Sequence, residues 1–124
     1  MNATDTIREA ARLIRERAEA ATPGPYFTTG MSARYGGLVA TPSDGHPEHN
    51  GYGGHLIGES MSEDNRTHLA GWPPAVAFAV ADWLDSVVDR ADADGITGEI
   101  DEPHALAVAR TYLAREKQSA DVPA

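Results

Sequence analysis

The chain has 124 residues, 41% of them hydrophobic and only 6% aromatic, with no cysteine and a formal net charge of −9. That length supports one modest core; the missing cysteines exclude disulfides and thiolate metal sites, and the acidic balance argues against general nucleic-acid binding, which needs clustered Lys and Arg. No stretch reaches the roughly eighteen apolar residues that span a bilayer, and the N-terminal segment, charged from Asp5 onward, has no apolar signal-peptide region, so a cytoplasmic location is expected.

Taken in chain order, the first expected element is a helix over residues 5–21. Thr6 and Glu9 have capping-box spacing. Ile7, Ala10, Ala11, Ile14, Ala18 and Ala21 recur at helical spacing and form one narrow apolar stripe. Arg12 with Glu16, and Arg15 with Glu19, are i,i+4 pairs for the wet side. Pro23 and Pro25 stop the helix, because neither can donate a backbone hydrogen bond and each restricts the residue before it.

Three short strands follow: Tyr26-Phe-Thr-Thr29, Leu38-Val-Ala-Thr41 and His55-Leu-Ile-Gly58. They predict a small antiparallel meander. The segment from Pro42 to Gly54 is rich in turn formers and nearly free of aliphatics. A long segment of that kind in a small domain is usually functional or mobile.

Ser60 and Glu63 suggest a second capping box and a short helix over residues 62–70, ended by Gly71. Pro73 and Pro74 suit the first turn of a third helix, where the missing amide hydrogen costs nothing. That helix is expected to reach Arg90, to be long and central, and to bury Trp83 and Leu84. An acidic loop over residues 91–103 and a last helix over residues 104–116, burying Leu106, Ala109 and Leu113, complete the chain. The fold class is α+β: an N-terminal helix, a three-stranded antiparallel meander, then three helices. Residues 1–118 are expected as a single domain and residues 119–124 as a flexible tail.

Several stretches invite a chemical reading. Aligning Gly95 of the run from Asp92 to Glu102 with the glycine of a calcium loop puts Arg90 where a carboxylate ligand is required and Asp101 where a longer Glu is usual. The run reads as a solvated acidic loop. His46, His49 and His55 lie near Asp44 and Glu48, but no helical spacing sets them on one face. No metal and no cofactor are expected. Gly51-Tyr-Gly-Gly54 fits neither the P-loop nor the dinucleotide fingerprint, although its backbone amides could cradle an anion. Tyr26, Tyr52 and Trp72 could line a pocket or cover the core, and Trp72, between two helices, reads better as core. His68 shares its helix with Asp64 and reads as a satisfied helix residue. No nucleophile elbow or Ser/His/Asp spacing appears, so no catalytic residue is assigned.

The order of Ala20-Ala-Thr-Pro-Gly-Pro-Tyr26, short strands, Asp64-Asn-Arg-Thr-His-Leu-Ala70 and Pro74 opening an apolar helix resembles the Ead-type early proteins of phages. Trp83-Leu-Asp85 and the stretch from His104 to Leu113 are similar to small uncharacterised proteins of actinobacterial phages and prophages. The resemblance covers residues 5–115. The chain departs from it at Tyr26, where tryptophan is common, and in its long glycine/histidine segment. The family carries no settled enzymatic activity, so nothing catalytic transfers. The resemblance implies an accessory phage gene acting on host physiology or defence, in the bacterial host cytoplasm.

Three functions compete. The first is a non-catalytic binder of a host protein, using an acidic stripe of Asp82, Asp85 and Asp89 or the loop from Pro42 to Gly54. The second is a small-molecule binder that sequesters a nucleotide-type immune signal. Its expected border is Tyr26, Tyr52, Gly53, Gly54, His55, Arg66, His68 and Trp72, with Arg66 at the surface. The third is a metal-dependent hydrolase using His46, His49 and His55. Neither nucleic acid nor membrane is an expected partner; a homo-oligomer is compatible with all three.

Overall fold

The computed structural model describes residues 2–30, 36–40, 55–93, 95 and 102–121. Among the described residues, four helices and a three-stranded antiparallel sheet are formed in the order α1 (Ala3–Ala20), β1 (Tyr26–Gly30), β2 (Gly36–Ala40), β3 (His55–Gly58), α2 (Glu63–Ala70), α3 (Pro74–Ala93) and α4 (Pro103–Asp121). The chain divides into two compact units, one of Met1–Arg17 with Phe78–Ala124 and one of Ala18–Ala77. In sequence, the second unit is inserted into the first.

The first unit is helical. Its α1 starts earlier than expected, because Asn2 is the cap. The Asn2 side-chain oxygen accepts the Asp5 amide at 2.8 Å, and its carbonyl accepts the Thr6 amide and hydroxyl, both at 2.9 Å. Glu9 is thereby released from a capping role and takes Arg12 instead, at 2.6 Å. Arg12 also makes the expected pair with Glu16, again at 2.6 Å. The apolar stripe of Ile7, Ala10, Ala11 and Ile14 is buried, as are Ala81, Leu84, Val87, Val88 and Ala91 on α3 and Ala105 and Ala109 on α4. Arg8 bonds Asp92 at 2.6 Å, while Arg15 reaches Asp82 and Asp85, each at 2.9 Å. Partner numbers on α3 fall as those on α1 rise, so α1 and α3 run antiparallel.

Two expectations for this unit are corrected. Trp83 is 37% exposed, not core. The buried line of α3 follows three- and four-residue steps through Ala81, Leu84, Val88 and Ala91, and that rotation leaves Trp83 outside it. On α4, Ala105 and Ala109 are fully buried while Leu106 and Leu113 are only half-buried, and the helix continues to Asp121.

In the second unit β1, β2 and β3 pair in that order as the expected meander. Phe27 lies opposite Val39, and Val39 opposite Leu56. The register slips beside Leu38, which faces Gly58, so Ile57 is the extra residue of a bulge. All of β2 is buried, as a middle strand should be, and α2 lies against β1 and β2. Ser62, not Ser60, caps α2. Its hydroxyl accepts the Asn65 amide at 3.3 Å, whereas Ser60 has a left-handed backbone with φ 57°. At the far end, Gly71 donates its amide to His68 at 3.2 Å.

Candidate functional site

The two sequence signatures flanking the sheet, Thr22-Pro-Gly-Pro-Tyr26 and Trp72-Pro-Pro74, meet in the second unit. A Cβ built on Gly24 would lie 2.7 Å from the Pro73 Cβ, so only glycine permits this approach. The Gly24–Pro25 peptide is cis. Tyr26, half-buried, donates its hydroxyl to the Thr22 carbonyl at 2.7 Å. Burial raises its pKa above the ordinary 10.0.

Arg66 does not stand at the surface. It is 5% exposed, and its Nη1 donates to the Met61 carbonyl at 2.9 Å. Its guanidinium lies over Gly36, where a Cβ would come within 2.7 Å of Cζ. Met61 in turn donates its amide to the Gly36 carbonyl at 3.0 Å. Arg66 therefore locks the turn before α2 onto the start of β2. A buried guanidinium is tolerated only when its donors are satisfied, and this one is built into the scaffold.

Trp72 corrects its core assignment in the opposite sense. It is 55% exposed, and Leu69, three residues earlier, is 42% exposed. The His68 ring sits beside the indole, with centroids 6.4 Å apart at a tilt of 53°. Arg66 is the buried residue of α2, which places the apolar side chains of its last turn outward. Sequence reasoning took apolar to mean inside, a rule that fails where a polar residue is fully partnered. Phe27 is also more than half exposed.

Tyr52, Gly53 and Gly54, like His46 and His49, fall outside the described residues. His55 opens β3 opposite Ala40. Among the described residues, no group of three or more His, Asp or Glu is placed to hold a metal ion.

Part of the charge on the acidic stripe of α3 is paired within the chain. Arg15 bonds both Asp82 and Asp85 rather than Glu19, and these bonds, Asp82 first, raise its pKa. Asp89 is exposed. No described helix is long and apolar enough to cross a membrane. No family model matches the chain, and neither a curated protein nor a solved structure does.

Proposed function

We propose that this chain is a non-catalytic phage or prophage accessory protein that binds a host factor in the host cytoplasm, altering host physiology or countering host defence. The observation that carries the reading is the exposed aromatic end of α2, where Trp72 stands in water beside His68 and Leu69. Tryptophan is the side chain most enriched at the energetic centre of protein interfaces. In a chain with only two tryptophans, a core use would be ordinary and exposure carries the functional signal. The resemblance to Ead-type phage proteins supports the host setting. The nucleotide-binding alternative is weakened, because Arg66, its best phosphate ligand, already serves the Met61 carbonyl.

The test is expression of wild type and Trp72→Ala in a bacterial host, with affinity capture of bound host proteins. Trp72→Ala should lose both the growth or defence phenotype and its captured partner, while its melting temperature stays close to wild type. Retention of both by the variant would remove the α2 end as the binding surface.

A further inference from the structure

Among the described residues of the second unit, every exposed formal charge at pH 7 is a carboxylate. Glu19, Glu59, Glu63 and Asp64 are exposed. Arg66 is the one Lys or Arg of those residues, and it is 5% exposed with its Nη1 on the Met61 carbonyl. Phosphates, nucleotides and anionic lipid headgroups are held by exposed cations. The described surface of this unit offers them no Lys or Arg, and it suits a partner of positive charge.

Two of these carboxylates stand on the helix that ends in Trp72. Asp64 precedes His68 by four residues, so the two are neighbours on the surface of α2. The His68 ring in turn sits 6.4 Å from the indole of Trp72. Asp64, His68 and Trp72 therefore form one exposed line. Among the described residues neither Glu63 nor Asp64 enters an ion pair, unlike Asp82 and Asp85, which Arg15 already holds. Their charge complements the dipole at the start of α2, a role that leaves both carboxylates in solvent. Of the aromatic rings, indole is the best seat for a cation. A guanidinium stacks on such a ring and also forks onto a carboxylate.

We propose, resting on the reading of the α2 end as the binding surface, that the bound host factor presents a basic protein segment. One arginine or lysine of that segment stacks on Trp72, and a second pairs with Asp64 and Glu63. The net charge of −9 draws such a partner in from a distance, so the encounter is fast at low salt and slows as salt is added.

The experiment uses the full chain with Trp83→Phe, which leaves Trp72 as the sole indole. The probe is an alanine-based peptide with arginine at every third position, set against peptides of equal length with glutamine or glutamate there. The arginine peptide should change Trp72 emission to saturation, the other two should not, and added salt should weaken the response. Glu63→Gln combined with Asp64→Asn should weaken arginine-peptide binding about tenfold. Asp64→Asn alone, with a smaller loss, replaces the pair if the pair lowers the melting temperature. Removing the same charge elsewhere, by Glu19→Gln with Asp89→Asn, should leave the affinity as it was. An equal response to the glutamine peptide, full affinity in the folded carboxylate variant, or an equal loss in the Glu19 and Asp89 control would overturn the cationic partner. Capture from a host lysate separates this outcome from the binding surface itself. If the carboxylate variant keeps a host protein that Trp72→Ala loses, the cationic partner falls and the α2 surface stands. If Trp72→Ala keeps it, both fall.

Discussion

The guanidinium of Arg66 fills the space in which residue 36 would carry a side chain if it were not glycine. Gly36→Ala would drive a methyl group into that guanidinium and into the Thr29 carbonyl on the neighbouring strand. Overpacking of this kind costs about 1–3 kcal/mol.

Arg66→Ala should be destabilising rather than neutral. It strips the half-buried Met61 carbonyl of a charged donor, a loss of about 1–3 kcal/mol. At about 4 °C per kcal/mol for a chain of this size, the melting temperature should fall by about 4–12 °C. Thermal denaturation followed by circular dichroism checks this, and an unchanged midpoint would return Arg66 to the surface.

Adjacent positions on α3 should respond differently to truncation. Leu84 is fully buried, and Leu84→Ala should cost about 2–5 kcal/mol through the cavity it leaves. Trp83→Ala should cost less, about 1–2 kcal/mol, since the vacated space opens to water. Urea titrations give the order directly. A larger loss at Trp83 would mean that α3 is rotated from the orientation described above.

Tyr26 should make the fold sensitive to alkali. Its folded pKa is raised by burial above the ordinary 10.0, so the folded state prefers the neutral phenol. The associated stability is fully present below pH 10.0 and is lost as pH rises through the folded value. Tyr26→Phe gives up the bond to Thr22, worth about 0.5–1.5 kcal/mol, at neutral pH. It should also flatten the fall in stability above the ordinary tyrosine range. Melting curves for both proteins between neutral and strongly alkaline pH measure the two effects. An equally steep fall in the variant would assign the alkali sensitivity to other groups.

Much of the architecture is written in local patterns. His55-Leu-Ile-Gly58 is β3 to the residue, and the Pro73-Pro74 step opens α3 as its chemistry requires. Local signals failed where a better partner lay just outside the window. Asn2 pre-empted Thr6, and Ser62 pre-empted Ser60. They failed more deeply where the partner was remote. Nothing near Arg15 announces Asp82, and nothing near Arg66 announces Gly36. Trp83 was misplaced because residue type gives a tendency toward burial, but helix rotation decides which side of α3 faces inward; Trp72 sits in the short link between α2 and α3, where no periodicity indicates a side. The bulge at Ile57 also had no local cue, since register depends on the strand opposite.

The ion pair between Arg8 and Asp92 joins residues 84 positions apart, and this separation orders events at the ribosome. The apolar stripe of α1 is made first, yet its helical companion α3 is made only after the whole sheet unit. At about 5–20 residues per second, the wait is several seconds or more. Throughout that interval Ile7, Ala10, Ala11 and Ile14 have no α3 to bury against. A nascent chain stalled before Asp92 therefore presents a sticky amphipathic helix to the cell, and holding or degrading such fragments falls to chaperones and proteases.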